Sequence, residues 1–509
     1  MEEKNGSGLQ KGSRMQQKQP VMLQTGKKKL YLHVLVLLLL IYLVVFVKLG
    51  NFHMRLWDES MFAVNTYEML QNGKFFSAYF DGAPDLYNTK PLLTVWLQMI
   101  SVKFFGFNEL ALRLPSALAA ALSILALFIF MARKYDYLWA WITAMILLTS
   151  SGFITYHTAR TADADSLLTL FLVMSNIYFI NAITEGKRRN ILWFFLFMAL
   201  AFSTKMYAAL LFIPAWIIIL IVQRKFKVFV FNKFFSAGLA GLIILCVGPL
   251  IFREMDAPGY LRETLVKDAG RLFKVVERHQ EPLTYYLDNF LLYRYATWFV
   301  LLIAGIVMTF LINAGKEKKL LGMVSLFILS YLIIITISTT KLEWYDMPLY
   351  PCFAIVASYP LFRIIRHFIP ENGERSCYKI GLVCLCIFIY PYIMMVRSSQ
   401  ENNLNAFEKM NEASERFLCE SIHEGKNLDG LKVFHCGYNG AILFYKYKLA
   451  EEGQQLEIVT NGVFQPGDQV LVSSDSLKAS LVERYRFSRV DAFDNAEIIR
   501  IDSVLDRRP

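Results

Sequence analysis

The chain has 509 residues, 55% of them hydrophobic and only 19% charged, with a mean hydropathy of +0.39. A soluble domain is about a quarter charged and cannot cover this much apolar surface, so the composition excludes a soluble protein. The net charge of +11 does not point to nucleic acid either, because its basic clusters sit in short gaps between apolar runs.

A polar tail, 1–29, leads into the first apolar block, Leu30 to Leu49. That block is long enough to cross a hydrocarbon core of about 30 Å. No small-residue cleavage site follows it, so it reads as a span and not as a removable signal. Further spans are predicted at 113–132, 137–157, 166–183, 190–204, 206–222, 233–252, 290–314, 319–339, 346–365 and 378–396. The sequence therefore predicts a multi-span α-helical membrane domain, 30–396, of about eleven crossings. Lys27-Lys28-Lys29, Arg133-Lys134, Lys187-Arg188-Arg189, Arg224-Lys225, Lys318-Lys319 and Arg363 with Arg366 then all fall on one side. Lysine and arginine mark cytoplasmic loops, so the N-terminus is expected inside. Lys90 to Gly106 is apolar but short and carries Gln98 and Lys103; it is expected to lie on the membrane surface.

The outer face receives two loops, about 50–112 and 253–289, and a tail, 397–509. LKVFHCG, EIVTNGVF, DQVLVSSD and AEIIRIDS in the tail read as strands. NAFEKMNEASERFLCESIHEG and SLKASLVERY read as helices between them, which predicts a small α/β domain. The seven cysteines show no metal-binding spacing. Cys419 and Cys436 share this tail, where an oxidising compartment would allow them to pair.

Ionisable residues are nearly absent from the span interiors and collect just outside them, on the outer side. Asp58-Glu59 follows the first span, and Asp163 and Asp165 precede the fourth. Lys90 closes DLYNTK, Lys205 lies in FSTKMYAA, and Lys341 opens KLEWYD. The loop 253–289 adds Arg271, Arg278 and His279, against the inside bias of positive charge. Each residue alone has a structural explanation. Asp58 or Asp165 would serve as a helix N-cap, Lys205 and Lys341 would snorkel to headgroups, and the arginines would bind anionic lipid. Their convergence on one face from separated stretches favours a site. Carboxylates beside cations suit removal of a proton from an acceptor while a phosphate departs.

These motifs resemble the polyprenyl-phosphate-sugar membrane glycosyltransferases, the GT-C superfamily of protein O-mannosyltransferases and lipid A aminoarabinose transferases. WDESMFA is similar to their first-loop acidic motif, Tyr87-x-x-Lys90-Pro91 to their lysine motif, and ARTADADSLL to their second acidic motif. LAFSTKMYAALLFIP and KLEWYDMPLYP complete the resemblance. It implies Asp58, Glu59 and Asp165 as catalytic residues, and Tyr87, Lys90, Arg271, Arg278 and Tyr345 around the donor phosphate. Lys205, Lys341 and His279 are implied as support. The partners implied are a polyprenyl-phosphate-linked sugar, a lipid, glycan or protein acceptor, and membrane lipids, with no nucleic acid. The location implied is a bacterial inner membrane with a periplasmic C-terminal domain. The chain departs from the lipid A enzymes at Thr89, where they carry a metal-binding glutamate, and at Leu92, where they carry a second proline. A zinc or magnesium site is left open, with no metal ligand assigned. A transporter or flippase is the rival reading, although it calls for binding groups at mid-membrane and, commonly, a repeat.

Overall fold

The computed structural model describes residues 22–505 apart from 156, 277–278, 371–373 and 403. Most of the polar N-terminal tail and Arg278 therefore lie outside the described residues. The chain forms two compact units, one ending at Leu40 and the other running from Ile41. The first is the helix that begins at Met22.

Each of the eleven predicted spans contains an apolar helix, but not all of them are full length. Among the described residues six helices are long and apolar enough to cross a membrane: Glu109–Lys134, Asp165–Glu185, Lys233–Asp256, Lys316–Ile337, Glu343–Phe368 and Ser376–Gln400. The other predicted spans correspond to the shorter helices Leu30–Phe46, Tyr137–Leu148, Asn190–Lys205, Ala208–Val222 and Phe299–Leu311. Burial sorts the long ones. The most apolar stretch of Glu343–Phe368 is 83% buried, whereas those of Lys233–Asp256 and Ser376–Gln400 are only 11% buried. The first is a central pillar, and the other two turn their apolar sides outward as lipid-facing helices do. Gly305 lets the helix Ala296–Leu311 lie directly on the pillar, since a Cβ there would fall 2.1 Å from the Val356 carbonyl oxygen.

The first long loop, 50–112, is built on the helix Asp58–Asn72, a small antiparallel pair β1 (Tyr79–Phe80) and β2 (Ala83–Pro84), and the helix Leu93–Phe105. The last of these is the short apolar helix expected from the sequence. Glu59 ties the loop together. Arg113 grips it through two bonds of 2.8 and 3.0 Å, and also donates to the carbonyls of Leu49, Phe52 and His53. In the second loop the short helix Tyr260–Thr264 runs into two irregular turns, Leu265–Ala269 and Gly270–Leu272.

The C-terminal part is an α/β unit as predicted, with a sheet in the order β4-β3-β5-β7-β6. β3 (Leu431–Phe434) pairs in parallel with β4 (Leu456–Val459) and β5 (Gln469–Val472); β7 (Ala496–Val504) is antiparallel to β5 and to β6 (Tyr485–Phe493). The four predicted strands are present. β6 and the helix Gly440–Glu451 were not expected from the sequence. Cys419 and Cys436 are both free, the first buried and the second exposed, so the pair considered above does not form in the structure.

This unit shares a hydrophobic core with the first long loop. Met54, Ala63, Phe107 and Leu112 pack in one cluster with Phe417, Leu431, Phe444, Tyr445 and Leu471. Polar contacts reinforce it. The Tyr445 hydroxyl accepts from the Met54 N–H at 2.9 Å, and Glu412 meets His53 at 2.7 Å and Arg55 at 3.1 Å.

Candidate active site

A cavity of about 650 Å³ opens where the segments 50–112 and 253–289, the ends of the apolar helices and the C-terminal segment meet. Its wall includes Asp58, Tyr87, Lys90, Asp165, Lys205, Arg271, His279 and Tyr345, all singled out from the sequence. Glu59 and Lys341 are not part of it.

Neither Asp58 nor Asp165 is an N-cap. Each is the first residue of its helix, behind Trp57 and Ala164 respectively, and no side-chain cap bond forms at either end. Both carboxylates instead meet ammonium groups. Lys90 Nζ donates to Asp58 Oδ1 at 3.0 Å, and Lys205 Nζ donates to both Asp165 oxygens at 2.8 and 3.0 Å. Lys205 is thus an ion-pair partner within the cavity and does not reach for headgroups. Burial by itself would raise the Asp58 pKa, but Lys90, His157 and Lys205 overcome it and hold the carboxyl well below the usual range. Asp58 is therefore ionised at any physiological pH.

The loop that presents Lys90 is rigidly held. Asp85 Oδ1 accepts from the backbone N–H groups of Tyr87 and Asn88, forming a side-chain turn. Arg253, at the end of the helix Lys233–Asp256, donates to the carbonyls of Asp85, Asn88 and Lys90. The Tyr260 hydroxyl donates to the Thr89 carbonyl at 2.9 Å. On the opposite wall Arg271 donates to the Tyr345 hydroxyl, and Lys205 lies over the Tyr345 ring with its Nζ 5.0 Å from the centroid. Tyr345 is anchored through its neighbour Asp346, a fully buried carboxylate gripped by Arg294 at 2.9 and 3.1 Å. The other side of the cavity is apolar, formed by Leu168, Leu210, Leu211, Ile334 and Ile335.

Glu59 and Lys341 are structural. Besides Arg113, Glu59 accepts from the N–H groups of Arg55 and Ala162, and it is 1% exposed. With four donors already in place it cannot ligate a metal without dismantling the loop. Lys341 is buried and donates to the carbonyls of Glu281 and Ser338.

The structure adds residues that the sequence reading passed over. Asp268 lines the cavity and helps hold Lys90 in its charged form. His157 also lines it, with φ at +57°; its ring stacks on Trp344 at 3.7 Å and its Nδ1 lies 3.3 Å from the buried Asp163. Asp58, His157 and Asp163 place ligand atoms within 4.8 Å of one another, the one group among the described residues able to hold a metal. Lys90 already supplies positive charge to Asp58, and Lys205 to the neighbouring Asp165. Trp57 is the other addition. It has φ +66° and ψ −121°, the values of a turn position that glycine normally fills, which stores about 1–3 kcal/mol of strain immediately before Asp58.

The arrangement can anchor a phosphate between Lys90, Arg271 and Tyr345, house an apolar tail beside it, and offer Asp58 as a proton acceptor.

Comparison with known proteins agrees with this geometry. Residues 89–252 match a family model described as dolichyl-phosphate-mannose-protein mannosyltransferase. A putative mannosyltransferase of Bacillus subtilis (strain 168) is 30% identical over 39% of this chain and 28% of its own length. The undecaprenyl phosphate-α-4-amino-4-deoxy-L-arabinose arabinosyl transferase of Aeromonas hydrophila is 25% identical over 65% of this chain and 61% of its own. The chain thus spans less than two thirds of either relative. Among solved structures, ArnT from Cupriavidus metallidurans bound to undecaprenyl phosphate superposes with a TM-score of 0.69 at 14% identity, covering 92% of this chain and 97% of that one. The resemblance to the polyprenyl-phosphate-sugar glycosyltransferases therefore holds in sequence, and the fold is GT-C.

Proposed function

We propose that the chain is a glycosyltransferase that moves a sugar from a polyprenyl-phosphate donor to an acceptor hydroxyl, with inversion, at the extracytoplasmic face of a bacterial inner membrane. The observation that carries this reading is the single cavity holding Asp58 paired with Lys90, Asp165 paired with Lys205, and Arg271 on Tyr345 beside an apolar wall. The donor's first isoprene units lie along that wall, and its phosphate sits against Lys90, Arg271 and Tyr345. The acceptor oxygen attacks the anomeric carbon as Asp58 takes its proton. The bond from that carbon to the phosphate oxygen breaks, and the electron pair leaves on the phosphate. A phosphate departs without being protonated, so one base suffices. Asp165, fixed by Lys205, orients a sugar hydroxyl.

Lys90 links the two halves of the reaction. In the structure its charge is committed to Asp58. An arriving phosphate competes for that charge, and the carboxylate becomes a better base only once the donor is in place.

The relatives' printed activities and the undecaprenyl phosphate bound to the solved ArnT support this donor class. Nothing in these comparisons favours a transporter. The test is mass spectrometry of envelope lipids, glycans and proteins from a deletion strain carrying wild-type or Asp58→Asn protein. A transferred sugar should appear with the first and be absent with the second; equal products would sink the reading. Impermeant maleimide should label cysteines introduced near Asp58 and after Arg397 in intact cells, but one near Arg188 only after permeabilisation. Labelling of both sets in intact cells would reverse the assigned face.

A further inference from the structure

Trp57 occupies a backbone conformation suited to glycine, so its side chain is what the position must need. One face of the indole is covered by Tyr438 of the C-terminal unit, at 4.8 Å between centroids and 17° between planes. Tyr438 is backed in turn by Phe80 at 5.7 Å. The Tyr438 hydroxyl also donates to the Trp57 carbonyl at 3.0 Å and lies 3.1 Å from Ser60 Oγ. Its seat is shaped to fit: a Cβ on Gly440 would fall 2.4 Å from that hydroxyl. Yet Trp57 itself is 53% exposed, lines the cavity and adjoins the proton acceptor. A large flat apolar surface is thus fixed on one side and left open on the other, one residue from Asp58.

A pyranose ring matches such a surface. It carries an apolar face of polarised C–H groups, which pack against the negative face of an indole, and hydroxyls around its edge. A serine or threonine side chain is too small to cover the ring. A phosphate would gain nothing from the indole and would be repelled by Asp58. Building on the glycosyltransferase reading, we infer that the open face of Trp57, clamped by Tyr438, is the acceptor subsite, and that the acceptor is a sugar ring presenting a hydroxyl to Asp58. That ring belongs to a glycan or to a glycolipid headgroup; the chemistry recognised is the same. Tyr438 acts as a positioning residue, through Trp57, on Asp58.

The experiment uses the deletion strain with full-length wild-type, Asp58→Asn, Trp57→Ala, Trp57→Phe, Tyr438→Phe and Tyr438→Ala proteins. Linkage analysis of the envelope product should find the transferred sugar on a hydroxyl of another sugar, with the lipid and polysaccharide fractions distinguishing the two sources. Membranes containing each variant are then titrated with the deletion strain's own acceptor fraction. Trp57→Ala should raise the half-saturating acceptor amount by about tenfold, the size of one lost aromatic stack, with the donor requirement unchanged. Trp57→Phe, which keeps a ring, should fall between. Tyr438→Phe keeps the stack and loses the hydroxyl, so it should lower turnover without moving acceptor half-saturation, whereas Tyr438→Ala should change both. A product linked to serine, threonine or phosphate overturns the inference, as does unchanged acceptor saturation in a folded Trp57→Ala or Trp57→Phe. Those results leave the glycosyltransferase reading standing. Identical products from wild type and Asp58→Asn would overturn both.

Discussion

The cavity around Asp58 and the buried network around Glu59 lie one residue apart in sequence, and they treat a carboxylate in opposite ways. Glu59 receives four hydrogen bonds, two from Arg113 and two from backbone N–H groups, and is closed to solvent. Asp58 meets one lysine, and its side chain keeps 24% exposure towards the cavity. A fully satisfied acid can only hold the fold. An acid with a single ion-pair partner and an open side remains available to a substrate. The same contrast recurs at Asp346, locked by Arg294, and Asp165, which faces the cavity with Lys205.

The sharpest way to break this comparison is to neutralise the two acids in parallel. Asp58→Asn should lower turnover by about two to four orders of magnitude with unchanged thermal unfolding in detergent. Glu59→Gln should do the reverse in kind: a loss of about 3–5 kcal/mol in stability, seen as a lower melting temperature and poor yield, because Arg113 is left buried without its partner. A Glu59→Gln protein that is stable but inactive would move Glu59 to the catalytic side. Lys90→Ala should reduce kcat by about 10²–10³-fold through lost phosphate stabilisation. Lys90→Arg should recover only part of it, since a planar fork does not replace a point charge; full recovery would show that charge alone matters there.

Smaller effects refine the picture. Glu415 in the C-terminal unit is buried, its two carboxyl oxygens have no hydrogen-bond partner, and burial pushes its pKa up to about 8 from the ordinary 4.5. The folded protein thus keeps a proton that the unfolded chain releases above 4.5. Stability should fall as pH rises from 4.5 towards 8. Glu415→Gln should flatten that slope and add about 1–3 kcal/mol near neutrality. Melting curves against pH check it, and an unchanged slope would place the titration elsewhere. The smallest expected effect is none: with Lys90 and Lys205 supplying the charge, activity should persist in strong chelator. Loss that zinc or magnesium restores would instead put a metal between Asp58, His157 and Asp163.

Much of this was legible in the sequence, for identifiable reasons. Apolar blocks announce helices because lipid leaves the backbone no other way to satisfy itself. Charged residues beside those blocks are conspicuous, and Asp58, Lys90, Asp165, Lys205, Arg271, His279 and Tyr345 do share one cavity. Direction was not legible. Successive residues on a helix point about 100° apart, so Glu59 follows Asp58 in sequence and faces Arg113 instead. Partners distant in sequence were invisible too. Nothing near Trp57 announces Tyr438, and nothing in ARTADAD says that Asp163 meets His157. β6 escaped because it is an edge strand with most of its residues exposed or half-exposed, leaving no clean alternation to read.

The hydrophobic core shared by the helix Asp58–Asn72 and the C-terminal sheet has a consequence for biogenesis. The segment bearing Asp58 leaves the ribosome well before the surface it packs on, which lies hundreds of residues further along the chain. Until Phe444 and Tyr445 arrive, Met54 and Phe107 have no complete core to enter, and the loop that aims the carboxylate is unsupported. Support for the Asp58 loop is thereby tied to synthesis of the sheet residues that complete this core. A product that stalls before them would keep the apolar helices that precede them yet leave the Asp58 carboxylate without the core that aims it.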